Sequence, residues 1–127
     1  MSSESILIVD DNPDNVDLAR IVLVAEGWEV RVAEDAPRAL EILKTYHPNL
    51  ILMDVQLPGM DGLELTRRLR AEPAFEDISI VALTAYAMRA DQEKARAAGC
   101  DGYISKPIDT RTFGDRVREY LKLESKG

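Results

Sequence analysis

Cysteine, histidine and tryptophan occur only once each in the 127 residues of this sequence. The single cysteine, Cys100, cannot form an internal disulfide, which predicts a reducing compartment and a packing role for this side chain. The single histidine, His47, has no cysteine or second histidine near it in the sequence, so we do not expect it to bind a metal. Neither residue is therefore expected to carry the chemistry of the protein.

Long apolar runs and an excess of basic residues are also missing. No run approaches the roughly 18 residues that a membrane span requires, and the opening residues MSSES lack the basic and then apolar design of a signal peptide. We therefore expect a cytoplasmic protein with no membrane insertion. Acidic residues outnumber basic ones by 23 to 16, for a net charge of −7, so we expect no direct nucleic-acid partner.

What the sequence does contain is a regular alternation. Short apolar runs and amphipathic stretches follow one another five times, without an internal repeat or a low-complexity linker. This pattern predicts one α/β domain over residues 1–127, built on a parallel sheet. The predicted strands cover residues 6–9, 29–33, 50–53, 79–83 and 102–104. The second strand is the most polar, so we place it at an edge of the sheet.

Five helices are predicted between and after these strands, over residues 13–26, 36–46, 62–72, 88–98 and from 110 onward. Four of them have a residue that can cap the amino end: Asn12, Asp35, Asp61 and Asp109. On the last helix four side chains share one face at helical spacing: Phe113, Val117, Tyr120 and Leu121. The fourth helix is rich in alanine and charge, so we expect it to be the least firmly held.

The first helix has more apolar residues than one face accommodates. We predict that the stripe facing the sheet consists of Leu18, Ile21, Val22 and Ala25. Three apolar residues then lie outside the stripe: Val16, Leu23 and Val24. Packing against a neighbouring helix and docking of a partner's helices both explain this excess, and the sequence leaves the two open.

Polar side chains follow the apolar strands at the point where each ends. Asp10 and Asp11 follow the first strand, Asp54 the third, Thr84 the fourth and Lys106 the fifth. The third strand is a continuous apolar run, typical of a central strand buried on both faces. Because the carboxyl ends of parallel strands meet at one edge of the sheet, we expect these five side chains to lie close together.

Three carboxylates at one edge repel one another, and a hard cation such as Mg²⁺ relieves that repulsion while keeping several of its waters. Lys106 adds a positive charge suited to the oxygens of a phosphoryl group. A carboxylate beside a cation and a lysine is equipped to attack phosphorus and become an aspartyl-phosphate. Singly, each residue has an ordinary explanation as a cap or a solvated charge, but their joint spacing favours the phosphoryl site.

The sequence resembles the receiver domain of two-component response regulators over about residues 6–121. The segments that carry the resemblance are the acidic pair Asp10-Asp11, the run LILMD ending at Asp54, Pro58 with Gly62, TAYA from Thr84, and YISKP from Tyr103 to Pro107. The resemblance implies a flavodoxin-like (βα)5 fold, doubly wound around a five-stranded parallel sheet in the order 2-1-3-4-5.

The resemblance also implies a site and a switch. Asp54 would accept the phosphoryl group of a phosphohistidine, with Thr84 and Lys106 contacting its oxygens. Mg²⁺ would be bound by Asp11, Asp54 and the backbone carbonyl of Gln56, with Asp10 assisting through water. Thr84 and Tyr103 would form the switching pair that passes the signal on. The Lys106–Pro107 bond resembles the family's cis peptide, which proline tolerates.

The expected partners are a histidine kinase or a histidine phosphotransfer protein, and a downstream protein target. Because no output domain follows, the chain resembles the standalone receivers of the cell-division and sporulation-relay type, and we expect a signalling switch, not a turnover enzyme. A receiver module of a hybrid histidine kinase is an alternative.

Two other classes that share features with this site fit the residues poorly. A phosphatase of the haloacid dehalogenase type needs an acid two positions after the nucleophile, where Gln56 stands. A flavin- or nucleotide-binding module needs a phosphate loop rich in glycine or hydroxyl groups after the first strand, and Asp10-Asp11 would repel its ligand.

Overall fold

The structure, a computed structural model, describes residues 4–57, 59–85 and 89–126, without the side chains of 122–126. Five parallel strands form one sheet in the order β2-β1-β3-β4-β5. The strands are β1 Ser5–Val9, β2 Glu29–Ala33, β3 Leu50–Asp54, β4 Ser79–Thr84 and β5 Gly102–Ser105. The predicted α/β class, the strand order and the edge position of β2 are confirmed.

Helices cover both faces of the sheet. They are α1 Pro13–Ala25, α2 Ala36–Leu43, α3 Gly62–Arg70, α4 Arg89–Ala98 and α5 Phe113–Lys126, with a 3-10 turn at Pro73–Phe75. One apolar cluster joins the sheet to α2, α3 and α4, and a second joins it to α1 and α5. All residues of β3 and β4 are buried, as expected for central strands between two helical layers.

The helix caps follow the prediction more closely than the helix ends. Asn12 accepts hydrogen bonds from the Asp14 and Asn15 amides at the start of α1, and Asp35 accepts from Arg38 at the start of α2. The predicted second helix extended to residue 46, which is wrong, because tight turns of the i→i−3 type follow Leu43. The 3-10 turn after α3 was not predicted.

The last helix begins later than Asp109 indicated. The carboxylate of Asp109 accepts the Arg111 amide, and its carbonyl accepts from Thr112 and Phe113, so a tight turn precedes α5. On α5 the predicted face is confirmed, since Phe113, Val117 and Leu121 are buried and Tyr120 packs against the same cluster.

The predicted sheet-facing stripe of α1 is wrong. The side chains that contact the sheet are those of Val16, Ala19 and Leu23, with Val22 packed against them in part. Leu18, Ile21 and Ala25, which were placed inward, are exposed, as is Val24. The exposed fractions of the three large side chains are 37% for Leu18, 67% for Ile21 and 54% for Val24. An apolar strip of α1 therefore faces solvent.

Within the described ranges, none of the helices combines the length and apolar character that crossing a bilayer requires. The cytoplasmic location and the single domain over residues 1–127 stay predictions. The weak hold on α4 also stays a prediction, although only Ala95 and Ala98 among its described residues are buried.

Candidate functional site

The carboxyl edge of the sheet gathers the acidic side chains that the sequence placed there. Asp10 follows β1 directly and is 1% exposed, Asp54 is the last residue of β3 and is 3% exposed, and Asp11 is exposed to solvent. One carboxylate oxygen from each of the three lies within 4.8 Å of the others. Two buried acids and one exposed acid thus share a single small volume, open to solvent on the side of Asp11.

Of the three acids, Asp10 has the surroundings that most disfavour a charged carboxylate. One oxygen, Oδ1, accepts the Asn12 amide at 2.9 Å, whereas Oδ2 is buried and has no hydrogen-bond partner among the described residues. Burial, the largest cause, and the charge of Asp54 raise the pKa of Asp10 to about 6, although the Asn12 amide and Lys106 oppose the shift. A buried oxygen that has lost its water without gaining a donor is suited to accept a cation or a cation-bound water.

Lys106 lies between the two buried acids. Its Nζ is 3.0 Å from Asp54 Oδ1 and 3.7 Å from Asp10 Oδ2. The backbone holds the lysine at this place, because its amide donates to the Thr84 carbonyl at 2.8 Å. The bond to Pro107 is cis, as the family resemblance implied. One lysine cannot neutralise three carboxylates, so the cluster keeps an excess of negative charge.

Asp54 is held in one orientation by short-range contacts. Its Oδ1 accepts the Gln56 amide at 3.1 Å as well as the Lys106 ammonium. Gln56 was predicted as a site residue through its carbonyl, but the donor roles of the Gln56 and Asn12 amides were missed, although the signal was present. Each donates to an aspartate two residues earlier, the local bond that aspartate favours in turns.

The loop between β3 and α3 passes unusually close to Asp54. A Cβ atom on Gly62 would lie 2.0 Å from the Asp54 carbonyl oxygen, and the Gly62 amide donates to Val55 at 3.0 Å. Only glycine permits this approach. The sequence identified Gly62 through the family motif alone, and the structure supplies its physical reason. Pro58, the other motif residue of this loop, lies outside the described residues.

Thr84 lies on β4, which pairs with the strand that ends in Asp54, and Tyr103 lies one strand further, on β5. Thr84 is buried at the end of β4, one position beyond the residue paired with Asp54. Tyr103 is half-buried on β5, and both residues line a cavity of about 150 Å³ next to α4. The carbonyl of Tyr103 accepts from the Arg116 guanidinium at 3.1 Å, a contact that the sequence did not suggest. Tyr86 and Met88 lie outside the described residues.

The oxygen-rich ligand set fits Mg²⁺. Asp10, Asp11 and Asp54 offer carboxylate oxygens within one ion's reach, and the exposed side of the cluster leaves room for waters, which Mg²⁺ retains. The cluster has no nitrogen or sulfur ligand that would favour zinc. The carbonyl of Gln56 as a further ligand stays a prediction.

Comparison with known proteins identifies the family of this chain. The sequence model of the response regulator receiver domain matches residues 6–118. The chain belongs to the response regulator receiver family. Receiver domains of this family are signalling modules of two-component systems, as the motifs indicated.

Relatives of this receiver include the polar-differentiation response regulator DivK of Brucella ovis, which is 40% identical over 94% of this chain and 97% of its own length. This similarity confirms the resemblance to cell-division regulators. A putative response regulator from Chloroflexus aurantiacus superimposes with a TM-score of 0.89 at 33% identity, covering 95% of this chain and 99% of that one.

A third relative carries a metal. The receiver domain of a sensor histidine kinase from Pseudomonas aeruginosa has a TM-score of 0.85 at 30% identity and covers the same shares of the two chains, 95% and 99%. That structure is described with a magnesium ion coordinated in its active-site cleft. Similarity to this receiver keeps the hybrid-kinase alternative open alongside the resemblance to DivK.

Proposed function

We propose that this receiver accepts a phosphoryl group on Asp54 from a phosphohistidine of a partner protein. The observation that carries the proposal is the position of Asp54, buried beside a second acid with Lys106 3.0 Å from one oxygen. A carboxylate oxygen of Asp54 attacks phosphorus as the bond from phosphorus to the imidazole nitrogen breaks, and that nitrogen keeps the electron pair. Lys106 then balances the charge on the phosphoryl oxygens.

Mg²⁺ completes this proposal. Asp10, Asp11 and Asp54 would hold the ion, with the Gln56 carbonyl as a further ligand. When bound, the ion supplies positive charge that offsets the crowded carboxylates and the developing charge on the phosphoryl oxygens. The ion would stabilise the Asp10 carboxylate most, because the buried Oδ2 atom has no hydrogen-bond partner among the described residues.

Labelling with a small phosphodonor tests the acceptor. Incubated with Mg²⁺ and acetyl phosphate, the protein should gain one acid-stable, base-labile phosphoryl group, seen by intact-mass spectrometry. Asp54→Asn should abolish the gain, because an amide lacks the nucleophilic charge. Asp17→Asn, which neutralises an exposed acid on α1, should leave labelling unchanged. Undiminished labelling of Asp54→Asn would place the acceptor elsewhere.

The phosphodonor would dock on the exposed strip of α1. Leu18, Ile21 and Val24 form this strip, and α1 begins directly after the acid pair. A helical partner lying along α1 would therefore bring a histidine on its surface towards Asp54. Such a partner, a histidine kinase or a phosphotransfer protein, would cover apolar side chains that the fold itself leaves in water.

A comparison of two donors tests this docking. Ile21→Ser should slow transfer from a phosphorylated histidine phosphotransfer protein at least tenfold, yet leave labelling by acetyl phosphate unchanged, because the small donor needs no surface. Ala97→Ser, which places a serine at an exposed apolar position of α4, should affect neither donor. If Ile21→Ser slows both donors alike, the strip acts through the fold and is not a docking face.

The phosphate would become a signal through Thr84 and Tyr103. A phosphoryl oxygen on Asp54 would offer the Thr84 hydroxyl an acceptor, and the ring of Tyr103 would move further into the cavity that both residues line. The responding face would comprise α4, β5 and α5, where the family resemblance places the downstream target.

Amide NMR with beryllofluoride, a phosphate mimic, tests this switch. In the parent, resonances should shift around Asp54, through residues 86–98 and around Tyr103. In Thr84→Ala the shifts should stay near Asp54, because the hydroxyl that couples the two regions is gone. Distant shifts that survive intact in Thr84→Ala would mean that this hydroxyl is not the coupling element.

A further inference from the structure

The two ends of α4 differ in how many of their described side chains are buried. Its first six residues, 89–94, include no buried side chain, and three of them, Asp91, Gln92 and Lys94, line the cavity that Thr84 and Tyr103 share. Its buried side chains, Ala95 and Ala98, both lie in the last four residues. The apolar contact of α4 with the rest of the protein is thus concentrated near its carboxyl end.

Backbone hydrogen bonds add to the hold on this end. After Ala98 the chain turns at Gly99, with φ +112°, so that the Cys100 amide donates to Ala95 at 3.0 Å. The Asp101 amide then donates to the Ile80 carbonyl of β4 at 2.7 Å. The residues directly after α4 are therefore bonded both to the helix and to the sheet.

Arg70, the last residue of α3, links this turn both to α3 and to the segment that follows α3. Its Nε donates to the Gly99 carbonyl at 2.8 Å, and its Nη2 pairs with Asp101 at 2.7 Å. Its Nη1 reaches two carbonyls beyond α3, Phe75 at 3.2 Å and Glu76 at 3.3 Å. The planar guanidinium makes these contacts at once, which a lysine with a single nitrogen cannot do.

Two further observations show that the chain is built around this arginine. A Cβ atom on Gly99 would lie 2.5 Å from Arg70 Cγ, so the glycine makes room for the arginine stem as well as for the turn. The carboxylate of Asp101 also accepts the Ile80 amide at 2.9 Å, which fixes it to β4. The Arg70 side chain is only 19% exposed, so solvent screens its charged contacts less than it would on an open surface.

We propose that Arg70 makes the carboxyl end of α4 a fixed pivot, so that α4 responds to phosphorylation by tilting about this end. The tilt rests on the proposed function of Asp54; the pivot itself does not. The residues of α4 are mostly alanine and long-chain helix formers, so the helix moves as a rod. In a helix of ten residues, about 15 Å long, a tilt of about 10° moves the first residue by about 2.5 Å and the pivot hardly at all.

Amide hydrogen exchange without beryllofluoride tests the pivot by itself. In the parent, amides 93 and 94 should exchange at least tenfold faster than amides 98–101, since the part of α4 without buried side chains opens more often than its carboxyl end. Arg70→Met keeps an apolar stem against Gly99 but removes all the donors, and should remove this gradient. Arg68→Met is the control, because Arg68 is an exposed arginine of α3 that pairs only loosely with Glu64, at 3.8 Å.

Asp101→Asn gives a second variant in case Arg70→Met does not fold. The amide side chain keeps an acceptor for Ile80 but loses the charge that pairs with Arg70, so exchange at 99–101 should rise by about threefold or more. If neither Asp101→Asn nor a folded Arg70→Met changes exchange at 99–101, Arg70 is not a pivot and the proposal is overturned.

Beryllofluoride then separates the pivot from the proposed function. In the parent, amide shifts should decrease along α4 from residue 89 to residue 98 and be smallest at 99–101. In Arg70→Met or Asp101→Asn they should spread into 99–101, while shifts at residues 55–57 stay the same. Absent shifts at 55–57 in the parent would contradict the function of Asp54. Normal shifts there with an unaltered profile in the variants would contradict the pivot alone.

Discussion

The two edges of the sheet handle their polar groups in opposite ways. At the amino edge, Asn49 Oδ1 accepts from both the amide and the hydroxyl of Ser5, and the Ser79 hydroxyl donates to the Tyr120 carbonyl. At the carboxyl edge, like charges are brought together and a buried oxygen of Asp10 has no hydrogen-bond partner among the described residues. Both edges belong to the same strands and the same core.

The difference shows where stability and function lie in this fold. Side-chain hydrogen bonds at the amino edge hold the starts of β1 and β4 against neighbouring segments and so stabilise the fold. Repulsion between the crowded carboxylates at the carboxyl edge destabilises the metal-free protein. Because a cation relieves this repulsion, the same repulsion favours binding of a cation and then of a phosphoryl group. Substitutions that remove polar groups at the two edges should therefore change stability in opposite directions. The exception is a substitution whose new side chain would clash with the backbone.

The largest effect should come from Gly62→Ala, at the carboxyl edge. The new Cβ would lie 2.0 Å from the Asp54 carbonyl oxygen, so α3 and the end of β3 must separate. We expect a loss of about 3 kcal/mol in the free energy of unfolding, measured by urea denaturation. Labelling of Asp54 by acetyl phosphate should fall about tenfold or more, because the acceptor is displaced.

Gly114→Ala is the matched control, since Gly114 also lies in the first turn of a helix. Its Cβ would meet the flexible end of Glu26, at 2.9 Å. We expect unchanged or slightly higher stability, because alanine favours the helix by about 0.5–1 kcal/mol. Equal losses in the two variants would show that the close approach to Asp54 has no special cost.

The next effect should come from Asn49→Ala, at the amino edge. The change leaves the Ser5 amide and hydroxyl without their acceptor. We expect a loss of about 2 kcal/mol, measured as a lower melting temperature in metal-free buffer. Asp77→Ala on the same edge should change stability by less than about 0.5 kcal/mol, because the His47–Asp77 pair is exposed. If Asn49→Ala leaves the melting temperature unchanged, the proposed contrast between the two edges is contradicted.

Asp54→Asn should act in the opposite direction. Removing one of three crowded charges should raise the metal-free free energy of unfolding by about 1 kcal/mol, since repulsion from two carboxylates outweighs attraction to Lys106. Added Mg²⁺ should then raise the melting temperature of the parent more than that of the variant. A variant that melts lower and gains as much from Mg²⁺ would contradict the view of the carboxyl edge as a strained site.

The smallest effect should be at Cys100, a buried thiol in the turn between α4 and β5. Burial raises the pKa of its thiol to about 11, with the nearby Thr66 hydroxyl opposing the shift. In the native protein at pH 7.5, iodoacetamide should modify Cys100 at least about 100-fold more slowly than in urea, since little thiolate is present. Rapid modification of the native protein would show that a reactive group lies outside the carboxyl edge.

The fold class and the residues at the carboxyl edge could be predicted from the sequence pattern, and the strand order from the family resemblance. The prediction of the edge residues has a physical basis. A buried parallel strand is a continuous apolar run, so the polar residue that ends it is visible in the sequence. Asp10, Asp54 and Lys106 were located this way, and the structure brings them together.

The sequence pattern leaves open which face of α1 is buried, and packing in the folded protein selects that face. The helix has apolar residues around most of its circumference, so more than one stripe satisfies helical spacing. Contact with the sheet and α5 selects Val16, Ala19 and Leu23 and leaves Ile21 in water. The phase of a helix that is apolar on several sides depends on its neighbours, which periodicity does not record.

The same holds for the contacts of Gly62 and Arg70. Gly62 is required because a Cβ atom there would lie 2.0 Å from the Asp54 carbonyl oxygen, and Arg70 binds a turn about 30 residues further along the chain. Gly62 was identified only through the family motif, and Arg70 does not stand out from its neighbours in the sequence. Local sequence pattern reports burial and turns, whereas these contacts arise only when distant segments are packed against each other, so the tertiary structure alone decides them.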